Sequence, residues 1–205
     1  MFKAILNDFS ENTYIVANGK EAYVIDPGSN YEAMHQYLQE HGLSIKGVLL
    51  THGHYDHISG LNNLLEEEGA PIYIHKDDRD FLFDPGLNLS VYMEERFKLK
   101  DKHVVHTMEE GDTFSLGKES ITVLHTPGHT RGGVCFLYGD VLFSGDTLFK
   151  EAVGRMDLPT GDESALLASV SKLLERFDDN TVVYPGHGPF TTIAHEKAKN
   201  PFVKG

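Results

Sequence analysis

Residues 51–57 read Thr-His-Gly-His-Tyr-Asp-His. Three histidines and one carboxylate fall within six consecutive positions, His52 to His57. Neither a helix nor a strand needs such a run for packing. Neutral imidazole and ionised carboxylate are the usual ligands of zinc, iron and manganese. Gly53 lets the backbone turn tightly between the first two histidines. The stretch predicts a metal-binding turn and directs the search for further ligands along the chain.

Outward from it, the same arrangement recurs. Val48–Leu50 is a short apolar run that reads as a buried strand leading into the cluster. Three more predicted strands run into Gly-containing turns. Ile121–Leu124 leads to H-T-P-G-H-T with His129, Val141–Phe143 to S-G-D-T with Asp146, and Thr181–Tyr184 to P-G-H-G with His187. Loops at strand ends are where a rigid scaffold presents chemistry. A lone His or Asp in a turn is ordinarily structural. Together the turns supply seven donors: His52, His54, Asp56, His57, His129, Asp146 and His187. Seven donors suffice for two divalent ions with one shared carboxylate and open positions for water, a known hydrolytic arrangement. Zinc is the expected ion, and the all-nitrogen-and-oxygen set also suits iron or manganese. The other histidines (His35, His41, His75, His103, His106, His125 and His195) read as surface or core residues. His125, beside the His129 loop, is the one placed to join the ligands.

The chain of 205 residues is 40% hydrophobic and 24% charged, which fits one globular domain over residues 1–205. No run of about 18 apolar residues marks a membrane span, and the opening residues lack the apolar core and cleavage site of a secretory signal. The single cysteine, Cys135, sits in the apolar stretch G-G-V-C-F-L-Y and reads as a small core residue. These features point to a cytoplasmic protein. A formal net charge of −13 argues against nucleic acid as a partner, because phosphate binding needs a basic surface. The scattered acids read as a solvated surface.

Strands are predicted at Thr13–Val16 and Ala22–Ile25, joined by an Asn18-Gly19 hairpin, and at Ile72–Ile74 and Val134–Tyr138. Helices are predicted from Tyr31 to His41, ended by Gly42, and from Ile58 to Glu68, stopped by Gly69. Leu166, Leu167, Val170, Leu173, Leu174 and Phe177 have helical spacing, with Asp162 as N-cap. A closing helix is expected from Thr191 to Asn200. From Asp77 to Lys102 the pattern loosens into a loop marked by Pro85, Gly86 and Asn88. Strands outnumber helices without a strict βαβ rhythm, and two sheets with helices outside would suit this order.

In this order, T-H-G-H-Y-D-H, T-P-G-H-T, S-G-D-T-L-F and P-G-H-G resemble the motifs of the metallo-β-lactamase superfamily. More narrowly they resemble those of the glyoxalase II (hydroxyacylglutathione hydrolase) group. The similarity runs from the Asp26-Pro27-Gly28 turn to Asn200-Pro201-Phe202. It implies an α/β fold, an αββα sandwich of two mixed β-sheets flanked by helices, with metals at one edge. It implies that His52, His54 and His129 hold one metal, that Asp56, His57 and His187 hold a second, and that Asp146 bridges them. Asp26 would orient ligands by hydrogen bonds or simply shape the turn before Pro27; Thr51 would play the same supporting part. The implied substrate is a small-molecule thioester. On that resemblance a metal-bridging hydroxide would attack its carbonyl, a metal would stabilise the oxyanion, and Asp56 would orient the nucleophile and accept its proton. Arg155, in G-R-M-D, reads either as a cation for a substrate carboxylate or as the partner of Asp157. The Phe83–Phe97 segment with Tyr92 reads as a pocket lid or as loop packing.

The chain also departs from that group. Glyoxalase II carries a C-terminal helical extension that helps hold glutathione, whereas eighteen residues follow His187 here, from Gly188 to Gly205. The chain therefore resembles the short bacterial hydrolases of this type, and the carrier thiol stays open. G-R-M-D also resembles the persulfide (sulfur) dioxygenases, which use one iron; the complete second ligand set favours hydrolysis. A lactonase would use the same centre. A β-lactamase is disfavoured by the absence of a Cys ligand and of a secretory signal, a nuclease by charge, and a flavodiiron redox role by His54. A non-catalytic metal-binding protein would carry the same ligands without an open pocket.

Overall fold

The computed structural model describes residues 2–6 and 10–203. One sheet holds β1 (Phe2–Leu6), β2 (Asn12–Asn18), β3 (Glu21–Ile25), β4 (Ser44–Leu49), β5 (Ile72–His75) and β6 (Val105–Met108), side by side in that order. β1 to β3 form antiparallel hairpins and β3 to β6 run parallel. The second sheet is built from β7 (Thr113–Leu116), β8 (Glu119–His125), β9 (Val134–Tyr138) and β10 (Val141–Gly145). A short ribbon follows, β11 (Leu148–Phe149) with β12 (Ala152–Val153). Then β13 (Val182–Pro185) and β14 (Thr191–Thr192) complete the sheet in the order β14-β13-β10-β9-β8-β7. The helices are α1 (Tyr31–His41), α2 (Tyr55–Ile58), α3 (Leu61–Glu68), α4 (Glu163–Arg176) and α5 (Ile193–Lys199). No helix among the described residues is long and apolar enough to cross a membrane.

Alternation along the strands sorts the side chains into layers. On β3, Ala22 and Val24 face α1 and α3, where Met34, Leu38, Leu61 and Leu64 cover them. Tyr23 and Ile25 point the other way, into a core shared with Ile121, Val123, Phe136 and Phe143 of the second sheet. On that sheet's outer face Leu124, Cys135, Leu142 and Val183 meet Val170, Leu173 and Leu174 of α4 and Ile193 of α5. The result is the expected αββα sandwich, with Cys135 fully buried and its thiol pushed up to about 11 by burial.

Several elements differ from the sequence reading. The helix expected over 58–68 is two pieces, α2 and α3, broken at Ser59-Gly60. Gly60 donates its N–H to the Pro27 carbonyl, and a Cβ there would stand 2.3 Å from the Gly28 carbonyl oxygen. Close approach of the Asp26-Pro27-Gly28 turn forces the break. The β3–α1–β4–α3–β5 segment does follow a βαβ rhythm, confined to the first sheet. The closing helix starts at Ile193 because Thr192 caps it, accepting from the His195 N–H. In the loose segment Phe81, Leu82, Phe97 and Leu99 are core residues, while Tyr92 is 80% exposed. Asn88 organises that segment: its amide donates to the Phe81 and Phe97 carbonyls.

Asp162 caps α4, accepting from the Ala165 N–H at 2.9 Å, and its own N–H reaches the Gly128 carbonyl beside His129. Replacing an N-cap Asp by Ala costs about 1 kcal/mol. Asp162→Ala should therefore lower the urea midpoint by that equivalent without changing the slope of the transition; an unchanged midpoint would contradict the cap.

Candidate metal centre

The carboxyl ends of five strands meet at one edge of the sandwich. β3 ends at Asp26, β4 leads to residues 51–57, β8 to His129, β10 to Asp146 and β13 to His187. All seven predicted donors come together there. The nitrogens of His52, His54 and His129 lie within 4.8 Å of one another, as do the ligand atoms of Asp56, His57 and His187. Asp146 sits between the groups. Its Oδ1 is 3.4 Å from His57 Nε2 and its Oδ2 is 3.5 Å from His129 Nε2.

Four of the five rings are held from outside by one nitrogen, while His54 Nδ1 meets His129 Nε2 at 2.9 Å. His52 Nδ1 faces Thr51 Oγ1 at 3.1 Å, and His57 Nδ1 faces Asp26 Oδ2 at 2.9 Å. His129 Nδ1 meets the Arg155 carbonyl at 2.8 Å, and His187 Nδ1 the Ser10 carbonyl at 3.2 Å. Such outer bonds fix the ring and turn the other nitrogen inward. Asp26 also accepts from the Thr51 N–H and hydroxyl, at 2.7 and 2.6 Å, so it orients His57 and the loop together. Among the described residues, His52 Nε2, His54 Nε2, His57 Nε2 and Asp146 Oδ1 are buried with no hydrogen-bond partner. Buried polar atoms are ordinarily satisfied, and divalent cations fit this donor set.

The electrostatics divide the cluster in two. Burial and the neighbouring histidines hold His52 well below the usual imidazole range and His54 at about 3, so these two rings present neutral lone pairs. Burial also opposes a charge on His57, but Asp56, Asp146 and Asp26 outweigh it and raise its pKa. Burial likewise works against the carboxylates of Asp56 and Asp146, yet His57 and its neighbours hold both low.

Two participating acids escaped the sequence reading. Glu11 is fully buried, with its carboxylate 3.7 Å from His57 Nδ1, and burial pushes its pKa well up. Asp78 is fully buried in the 3-10 turn Lys76–Leu82, where burial lifts it to about 6 against hydrogen bonds from Thr130, Gly132 and Gly53. An isolated acid in a polar loop carries no pattern that separates it from surface charge. The Arg155 side chain is in the predicted ion pair, bidentate with Asp157 at 3.0 and 2.8 Å, and both are exposed. His125 joins a separate group with His75 and Asp77. The two rings stack at 4.1 Å with planes 10° apart. A ligated metal lies in the ring plane, and near-parallel planes share no point nearby, so this pair is packing.

A sequence model of the Metallo-beta-lactamase superfamily matches residues 6–187. An uncharacterized protein of Mycobacterium leprae is 41% identical, over 95% of this chain and 94% of its own length. The hydroxyacylglutathione hydrolase GloC of Haemophilus influenzae is 33% identical, over 95% and 93%. Among solved structures, the BLEG-1 B3 metallo-beta-lactamase superposes with a TM-score of 0.92 at 37% identity, covering 100% of both chains. TTHA1623 in a di-iron-bound form gives 0.87 at 37%, covering 98% of this chain and 99% of that one.

The pKa of Asp78 yields a test. An exposed aspartate titrates near 4, and the folded value is higher, about 6. Its contribution to stability is therefore present below about pH 4 and is lost as the pH rises through 6. The metal-free chain should lose about 3 kcal/mol through this group between pH 4 and 7, and Asp78→Asn should not. Urea titrations of both chains across that range measure the difference; parallel pH profiles would refute it.

Proposed function

We infer the function from two premises: the chain belongs to the metallo-beta-lactamase superfamily, and Asp146 stands between the two halves of a divided His/Asp cluster, within reach of both. From them we propose a metal-dependent hydrolase that cleaves a small-molecule thioester of the S-hydroxyacylglutathione type. The placement of Asp146 carries this reading: its Oδ2 lies near both His129 and, at 3.7 Å, His187, and its Oδ1 near His57, so one carboxylate stands between two donor groups, as in a two-ion hydrolytic centre.

His52, His54 and His129 would hold one divalent ion and Asp56, His57 and His187 the other, with Asp146 common to both. Zinc is the first expectation for these donors. Iron, carried by the di-iron form of the solved neighbour, and manganese are the alternatives. Bound there, the ions supply an activated water near neutral pH and polarise the substrate carbonyl. Asp56 lies 3.1 Å from His187 Nε2 while its side chain stays 27% exposed, so it reaches both the centre and incoming solvent. It orients the attacking water and accepts its proton. The departing thiolate is a stable anion and takes no proton from the protein. Arg155 lines a surface cleft with Val153, Met156, Glu163 and Phe202. Its exposed pair with Asp157 is screened by solvent and weak enough to open for a substrate carboxylate.

GloC, which bears the hydroxyacylglutathione hydrolase name, is matched over 93% of its length. A chain of this length is therefore compatible with a glutathione carrier. A cytoplasmic setting accords with a lone cysteine buried in the core. A second reading, β-lactam opening, is favoured by the full-length superposition on a B3 metallo-beta-lactamase. It requires the same attack on a carbonyl carbon.

The deciding experiment is hydrolysis of S-lactoylglutathione by the metal-loaded chain, followed as loss of thioester. A chromogenic β-lactam and oxygen uptake on a persulfide are run beside it. Thioester turnover without oxygen uptake is expected. Lactam turnover alone would move the assignment to the second reading, and oxygen uptake would move it to the one-iron dioxygenase. His54→Ala and Asp146→Ala should each remove metal and turnover while leaving the far-ultraviolet circular dichroism unchanged; full turnover in either would sink the two-ion assignment. Arg155→Ala should raise KM with kcat unchanged, the pattern of a lost uniform binding contact. An unchanged KM would remove Arg155 from substrate binding.

A further inference from the structure

The His52, His54 and His129 group depends on two loops from different sheets. His52 and His54 follow β4, and His129 follows β8. Their closest approach across the gap is His54 Nδ1 to His129 Nε2, at 2.9 Å. A small slip of one loop past the other would pull these nitrogens apart. Asp78, on the turn after β5, lies behind both loops and has no exposure. Its Oδ2 accepts from Thr130 Oγ1 at 2.6 Å, and its Oδ1 accepts from the Gly132 N–H at 2.8 Å. The Gly53 N–H is a third donor.

These donors flank the ligands. Gly53 lies between His52 and His54, and Thr130 follows His129. The fit is close: a Cβ on Gly132 would stand 2.6 Å from the Asp78 nitrogen and 2.7 Å from its Oδ1, so only glycine lets that loop close on the carboxylate. Arg131 adds a bond from Nε to the Asp77 carbonyl at 2.6 Å. The second group is held by other means. His57 is anchored by Asp26, and His187 by the Ser10 carbonyl. Hydrogen bonds to a buried carboxylate are short and strong, and those here cross between the loops that must stay in register.

We propose that Asp78 is a positioning residue of the His52–His54–His129 group, keeping its two loops in register and setting the affinity of that one ion, while the Asp56–His57–His187 group is held by Asp26 and the Ser10 carbonyl. The inference rests on the two-ion reading above and is independent of the substrate.

The test uses the full chain, stripped of metal and titrated with Co2+. Bound ions per chain are counted by elemental analysis, and the visible spectrum of each site is followed. The wild-type chain is expected to take two ions. Asp78→Ala deletes the acceptor. Thr130→Val deletes one donor at nearly constant volume, and it keeps the test open should Asp78→Ala fail to fold. Each should weaken one of the two ions about 10–100-fold, the range for residues that orient metal ligands, and leave the other unchanged. Asp78→Asn should restore most of the loss, since its amide oxygen still accepts from the backbone and its NH2 group can donate to Thr130. His187→Ala combined with Asp78→Ala should weaken the remaining ion. The proposal is overturned if neither ion weakens, if both weaken together, or if the weakened ion is the one His187→Ala removes. A wild-type chain that takes one ion overturns the two-ion reading and this inference with it. Thioester turnover does not enter the count, so failure of the substrate reading shows up separately.

Discussion

A buried lone pair needs a proton or a cation, and this sandwich gathers more of them at one edge than the surrounding protein can satisfy. Outer hydrogen bonds occupy one nitrogen each on His52, His57, His129 and His187. Buried atoms of His52, His54, His57 and Asp146 remain unmatched. Leaving a buried polar atom unmatched costs about 1–3 kcal/mol, and more when it is charged. The chain accepts that cost in several places within a few ångströms. Divalent ions would take up these lone pairs, and the rest of the fold acts as a frame that holds the rings apart and correctly turned.

The frame explains why the strands are arranged as they are. The donors are spread from His52 to His187 in the sequence. A single loop could not carry them and still fix their directions. Five strands whose carboxyl ends share an edge do so, because each rigid strand delivers one short turn. The interior of the sandwich sets the separation of the two sheets, through Tyr14, Phe136 and Phe143 among others. Metal geometry is thus coupled to core packing through loops only a few residues long.

Much of this was legible in the sequence because the donors come in turns with a common form, an apolar run followed by Gly and His or Asp. The hairpin at Asn18-Gly19, α1 with its Gly42 stop, and the Asp162 cap were legible for similar local reasons. What escaped depends on contacts between distant segments. The break at Gly60 is imposed by the turn after β3. β6 and β7 are short and half polar, so their strand character comes from pairing with β5 and β8 rather than from periodicity. Glu11 and Asp78 look like two more charges on an acidic chain, and only the fold shows that they are buried.

Glu11 also bears on the charge of the centre. Four acids surround it: Asp56 and Asp146 among the donors, and Asp26 and Glu11 behind His57. Against burial, His57 and its neighbours hold Asp56 and Asp146 low, while burial drives Glu11 toward its protonated form. An uncompensated charge in a region with little water is strongly disfavoured. Protonation relieves that at Glu11, and divalent ions among the donors would relieve it at Asp56 and Asp146. The same ions would let an anionic substrate approach the site in spite of the chain's net charge of −13.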